Sequence, residues 1–262
     1  MIARALTAAA LLAAFFAALL LLDRAAFAAV VAFIVALGGY EWSRLAGLAK
    51  IGAVVYAVSC AALLGAFPGD DVEPVLWGAA LFWVLAVPWW LAQGVNSKSR
   101  VWLLAAGLVA LVAAGLAMTA MPSRLLLITL GLVWIADTAA YLAGRAFGSR
   151  KLAPSISPGK TWEGVAGGTV ACLIYAIICA MLNPDLAARV QGAIWVPYLA
   201  GAMLLCAASI VGDLFESALK RQAGVKNSGA LLPGHGGVLD RIDSATATLP
   251  LALLLMQRTG VT

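Results

Sequence analysis

The sequence predicts an all-α, polytopic transmembrane bundle of about nine spans with a cytoplasmic N-terminus, and three observations carry that prediction. Of the 262 residues, 64% are hydrophobic and only 11% charged, with a mean hydropathy of +1.00; ordinary soluble domains are about 45–50% apolar and 25% charged. Apolar runs recur at 1–22, 25–40, 51–67, 74–92, 101–119, 125–147, 165–182, 193–212 and 244–257, most of them near the roughly 20 residues a spanning helix needs. The alternation of polar and apolar residues that a membrane β-barrel requires is missing from the sequence.

Lys and Arg set the orientation. With the N-terminus inside, the inner segments hold Arg4, Arg44, Lys50, Lys98, Arg100, Arg145, Arg150, Lys151, Lys160, Lys220, Arg221, Lys226 and Arg241, leaving only Arg24, Arg124, Arg189 and Arg258 of the 17 basic residues outside. The net charge of +5 therefore belongs to inner loops, where it suits anionic headgroups and phosphorylated substrates better than duplex nucleic acid.

Along the chain, the run 1–22 follows Arg4 as a secretory signal would, but its length and the span that follows at once predict a retained helix. The second run ends in Gly39-Tyr40-Glu41-Trp42-Ser43-Arg44, where Glu41 and Arg44, at i and i+3, are expected to pair on one helix face. Trp42, Trp77, Trp89, Trp90, Trp102 and Trp195 fall near run ends and are expected at the membrane interface. Cys60, Cys172, Cys179 and Cys206 lie in apolar runs without ligand-like spacing and read as small core residues. Residues 1–119 are thus expected to be a scaffold of transmembrane helices. Residues 120–262 form the expected catalytic region, with its site at the cytoplasmic face.

Asp137, with Thr138 and Tyr141, sits in the inner half of the sixth run. A carboxylate there needs a partner, such as Arg145, and a supporting role is expected. The segment Ser155 to Gly164 contains Gly159-Lys160-Thr161, as a P-loop does, but residue 154 is Pro where that pattern needs Gly, and no strand is expected before it, so a Walker ATPase is excluded. What remains is a hydroxyl and ammonium cluster, Ser157, Lys160 and Thr161, fit to grip phosphate oxygens, with Glu163 in the first turn of the following helix.

The most charged stretch runs from 213 to 243. Asp213, Glu216, Ser217 and Lys220 stand at i, i+3, i+4 and i+7 and share one helical stripe. Asp240 and Asp243 lie one turn apart after a Gly-rich segment. Converging with Asp213, they would offer the oxygen ligands Mg²⁺ takes when it also binds substrate phosphates, alone or with a second cation. Gly229, Gly234, Gly236 and Gly237 surround His235 in a loop able to approach pyrophosphate, with His235 expected to hydrogen-bond a phosphate oxygen.

At these residues the chain resembles the phosphatidate cytidylyltransferase, or CDP-diacylglycerol synthase, family. Ser217, Lys220-Arg221, Lys226, Pro233 to Gly237 and Asp240-Arg241-Ile242-Asp243 match its signature, and Ser157 to Gly164 match its second characteristic stretch. One position departs, with Asn227 standing where the family has Asp. The resemblance implies transfer of CMP from CTP to phosphatidic acid with release of pyrophosphate, Mg²⁺ dependence, a homodimer, and a bacterial cytoplasmic (inner) membrane location. Asp213, Lys220, Asp240 and Asp243 would then be catalytic, the three aspartates as metal ligands. Ser157, Lys160, Thr161, Ser217, Arg221, Lys226, His235 and Arg241 would bind substrate. A CTP-dependent polyprenol kinase would share the cation site but release CDP, and a transporter of phosphorylated solutes would place its site near the midplane in two matching halves.

Overall fold

A computed structural model describes residues 2–67, 72–94, 100–232, 234 and 236–259. Every apolar run is a helix: α1 (Ile2–Leu21), α2 (Arg24–Leu45), α3 (Lys50–Gly65), α4 (Glu73–Leu81) continued through a π-helical stretch, Phe82–Ala86, into α5 (Val87–Ala92), α6 (Arg100–Ala120), α7 (Ser123–Phe147), α8 (Trp162–Leu182), α10 (Trp195–Gln222) and α11 (Leu239–Thr259), with a short α9 (Pro184–Arg189). Among the described residues, six helical segments are long and apolar enough to cross a membrane: Arg24–Leu45, Glu73–Ala92, Arg100–Ala120, Ser123–Phe147, Trp162–Leu182 and Gly192–Gln222. Two apolar stretches, Ala9–Leu21 and Lys50–Gly65, are shorter. The remaining helix, α11, differs in kind: it opens with Asp240, Arg241 and Asp243, and every residue from Ser244 to Leu254 is buried against α10, α6, α4 and α7. Its Ser and Thr are tolerated because hydroxyls bond back into the helix, Thr246 to the Asp243 carbonyl at 2.6 Å and Thr248 to that of Ser244 at 2.9 Å.

Ile51, Val101, Phe147, Leu182 and Val196 are exposed, so the outside carries large apolar side chains, as a lipid-facing surface does. Trp77, Trp89 and Trp102 are exposed, but Trp42, also expected at the interface, is only 2% exposed. Its Nε1 donates to the Leu103 carbonyl at 2.7 Å and its ring packs on Phe215. Phe82, Trp83 and Trp90 also pack around Phe215 with centroids 5.4–5.9 Å away, which clamps α10 beside its charged turn. Cys60, Cys172 and Cys206 are buried, Cys179 is half-buried, and all four are free thiols.

A two-stranded antiparallel hairpin, β1 (Lys151–Ala153) and β2 (Ser157–Thr161), adds to the expected all-α fold. Pro154 and Pro158 disfavour helix here, and the extended segments satisfy each other's backbone groups instead. Thr161 then caps α8, its hydroxyl accepting from the Gly164 N–H at 3.1 Å. Glu163 ties the base of the hairpin by accepting from Ser149 Oγ at 2.6 Å and the Arg150 N–H at 3.2 Å.

Two close helix approaches position the site. A methyl at Gly164 would lie 2.7 Å from the Ala140 carbonyl oxygen, and one at Gly212 would lie 2.7 Å from that of Asp243. Contacts under 3.0 Å are sterically closed to a side chain, so glycine is what lets α8 lie on α7 and α10 lie on α11.

Candidate active site

The C-terminal ends of α7 and α10 and the N-terminal ends of α8 and α11 meet at one end of the bundle. A cleft of about 480 Å³ opens there, lined by Asp137, Tyr141 and Arg145 from α7, Ser157, Lys160 and Thr161 from the hairpin, Asp213 from α10, and Asp240 and Asp243 from α11. Ala140, Leu152, Val165 and Ile210 form its apolar wall. Two segments some 50 residues apart in the chain therefore build a single site.

The helical stripe on α10 is realised. Ser217 Oγ donates to Asp213 Oδ1 at 3.2 Å, and Lys220 pairs with Glu216 one turn below it. Lys160 Nζ reaches from the hairpin to Asp213 Oδ2 at 2.7 Å. Lys220 also reaches Asp240 Oδ1 at 2.6 Å, and with its side chain only 11% exposed it faces carboxylates rather than the cleft. Arg221 bridges elements, donating from Nε to the Ile156 carbonyl at 3.2 Å and from a terminal nitrogen to that of Val225 at 3.4 Å. Lys226, Asn227 and Arg241 are exposed around the following loop. His235 and Pro233 lie outside the described residues.

The three expected metal ligands do not converge as a triad. Among the described residues no three His, Cys, Asp or Glu side chains are placed to hold one ion. The reason is Asp240: while Oδ1 takes Lys220, Oδ2 accepts from the Ser228 N–H at 3.0 Å and the Gly237 N–H at 2.8 Å, with Ser228 Oγ, whose one hydrogen is shared with Glu41, also 3.0 Å away. Burial raises the proton affinity of this carboxyl, but Lys220 and the two N–H donors outweigh it and hold the group below the ordinary carboxylate range. Asp240 fastens the loop to α11.

Asp213 and Asp243 line the cleft without such ties to the loop, and Asp137 joins them. Asp137 accepts from Ser209 at 3.4 Å and Ser244 at 3.5 Å, and the charges of Asp137, Asp213 and Asp243 repel one another. Beside them Glu216 is buried, and its Oε1 has no hydrogen-bond donor among the described residues. Cleft carboxylates that repel one another suit a hard divalent cation beside Asp213 and Asp243, which would relieve that repulsion.

Sequence reasoning missed Glu41. Rather than pairing with Arg44, which donates to the Leu48 carbonyl, Glu41 accepts from Ser228, Val238 and Leu239. Nothing in the local pattern marks a contact nearly 200 residues away.

Comparison with known proteins places the chain in a family. A model of the cytidylyltransferase family matches residues 2–259. A phosphatidate cytidylyltransferase of Pseudomonas aeruginosa is 41% identical over 273 aligned residues, covering 98% of this chain and 97% of that protein. The Haemophilus influenzae protein of the same name is 49% identical over 130 residues, covering 48% of this chain and 43% of its own length. That of Staphylococcus saprophyticus is 45% identical over 124 residues, covering 47% and 45%. A match running through the scaffold helices and the cleft alike leaves one conclusion: this chain belongs to the cytidylyltransferase family.

Proposed function

We propose that this chain is a membrane-embedded phosphatidate cytidylyltransferase, joining CMP from CTP to phosphatidic acid and releasing pyrophosphate. The observation that carries the reading is the composition of the cleft: acids, an ammonium, a guanidinium and hydroxyls together with apolar Ala140, Leu152, Val165 and Ile210, at the bundle end where basic residues gather. A triphosphate needs the first and a diacyl lipid needs the second. The names of the three relatives support the same substrates.

In this scheme a phosphate oxygen of the lipid attacks the α-phosphorus of CTP, the new P–O bond forms as the bond to the β-phosphate oxygen breaks, and pyrophosphate leaves. The attacking phosphate is already ionised, so alignment and charge neutralisation matter more than a base. Lys160, released from Asp213, and Arg145 balance phosphate charge, and Ser157 and Thr161 hydrogen-bond phosphate oxygens. Asp213 and Asp243 would hold Mg²⁺, with Asp137 and Glu216 nearby; bound there, the ion supplies charge neutralisation for the triphosphate. Lys220 acts at one remove, fixing Asp240 and through it the loop. Arg221 holds the hairpin, while Lys226, Arg241 and His235 would meet substrate at the loop.

The basic end of the bundle supports a cytoplasmic site in a bacterial inner membrane with the N-terminus inside; the nine apolar runs as spans and a homodimer complete the reading, the latter on the family resemblance alone. The test is product analysis with purified protein, labelled CTP, phosphatidic acid and Mg²⁺. Label extracted into lipid together with pyrophosphate is expected. Release of CDP would assign a kinase, and no nucleotide turnover would remove the enzyme reading.

A further inference from the structure

Glu41 sits near the end of α2, in the half of the chain none of whose described residues lines the cleft, and is 2% exposed. Its Oε2 accepts from Ser228 Oγ at 2.9 Å and the Leu239 N–H at 2.8 Å, and its Oε1 accepts from the Val238 N–H at 3.1 Å. Val238 and Leu239 are where α11 begins, and N–H groups at a helix start have no partner within the helix. A side chain from α2 therefore serves as the cap of α11.

Ser228 and residues 237–239 are held between two carboxylates. Ser228 Oγ stands 2.9 Å from Glu41 on one side and 3.0 Å from Asp240 on the other, while Asp240 holds the Ser228 and Gly237 N–H groups. Two glycines make room for Glu41: a methyl at Gly229 would lie 2.3 Å from its Oε1, and one at Gly237 would lie 2.3 Å from its Oε2 and 2.2 Å from Ser228 Oγ. The chain thus narrows to bare backbone where this acid enters. Trp42, the next residue, is anchored to Leu103 and Phe215, so α2 holds Glu41 rigidly.

We propose that Glu41 is a positioning residue for nucleotidyl transfer: it fixes Ser228, Val238 and the first turn of α11, and through them sets where Asp240 and Asp243 stand in the cleft. The inference rests on the cytidylyltransferase reading of that cleft. Glu41 touches no reacting atom. Its charge makes the three hydrogen bonds strong, and a shift of about 1 Å in a site can cost roughly 100-fold in rate.

The experiment compares wild type, Glu41→Gln, Ser228→Ala and the double variant in detergent micelles. Wild type is assayed first; failure there to incorporate label would strike the functional reading and not Glu41. Given an active wild type, Glu41→Gln is expected to elute as a folded species with kcat down roughly 30- to 100-fold and KM for CTP moved far less. Trypsin should cut faster after the exposed Lys226, because the loop is freed while the helices are not. Ser228→Ala should lose roughly 10-fold, and the double variant should be no worse than Glu41→Gln alone, since both remove one unit. If Glu41→Gln does not fold, Ser228→Ala carries the test through the same two readouts. Wild-type kcat and unchanged cleavage after Lys226 in the folded variants, or losses that multiply in the double variant, would overturn the proposal.

Discussion

Lys160 Nζ and Asp213 Oδ2 lie 2.7 Å apart, closing an ion pair between a hairpin and the end of a membrane helix. Both side chains keep about a quarter of their surface open, 23% and 30%, so the pair is accessible to a ligand rather than sealed. An anionic substrate entering the cleft competes with Asp213 for the ammonium, and a cation competes with Lys160 for the carboxylate. Lys160→Ala should therefore lower kcat/KM for CTP by roughly 100-fold, the scale of removing one preorganised charge-stabilising donor. Lys160→Arg should retain part of the activity. Initial-rate kinetics with labelled CTP decide it, and wild-type rates in Lys160→Ala would remove the residue from the phosphate site.

Asp240 and Asp243 should separate when neutralised. Asp243 stands among like charges, so Asp243→Asn is expected to abolish lipid labelling while leaving the melting temperature equal to or above wild type. Asp240 is 8% exposed and bonded to Lys220, so Asp240→Asn is expected to cost about 3 kcal/mol, as breaking a buried pair does. Chelation of divalent cations should stop wild-type turnover and added Mg²⁺ restore it. Calorimetry alongside the labelling assay reads both outcomes, and equal melting losses in the two variants would contradict the division of roles.

The pH dependence follows from the sign of the Asp240 shift. Its folded carboxyl binds protons less readily than the unfolded one, so its contribution to stability is complete above the ordinary carboxylate value, about 3.9. That contribution fades as pH falls below it and is lost once pH has fallen through the lower folded value. Melting temperature should then change little on this account between about pH 5 and 8 and drop below about pH 4. In Asp240→Asn this acid limb should be flatter. A wild-type decline already under way near pH 6 and absent from Asp240→Asn would reverse the assigned direction.

Much of this architecture can be read from spacing alone, because a bilayer leaves a backbone few ways to satisfy its hydrogen bonds. The apolar runs became helices, and the stripe on α10 placed Ser217 on Asp213 and Lys220 on Glu216, since residues four apart share a helix face. Trp42 and the hairpin show where such reading stops. A Trp at a run end is interfacial only if nothing packs over it, and here Phe215, 173 residues later, does. The hairpin is short, Pro-containing and polar, so no periodicity announces it.

Residue types and local spacing determined the membrane-helix class, the family, and the segments that would carry charge chemistry, because burial in lipid and helical geometry act within a turn or a span. Only the tertiary structure decided what each carboxylate at the cleft is bonded to. Asp240 is turned toward Lys220 and Ser228, Asp137 moves into the lining, and Glu41 is recruited to cap α11. An acid's role is set by the donors that surround it, and here those donors come from helices far apart in the chain, brought together by close approaches such as that at Gly212.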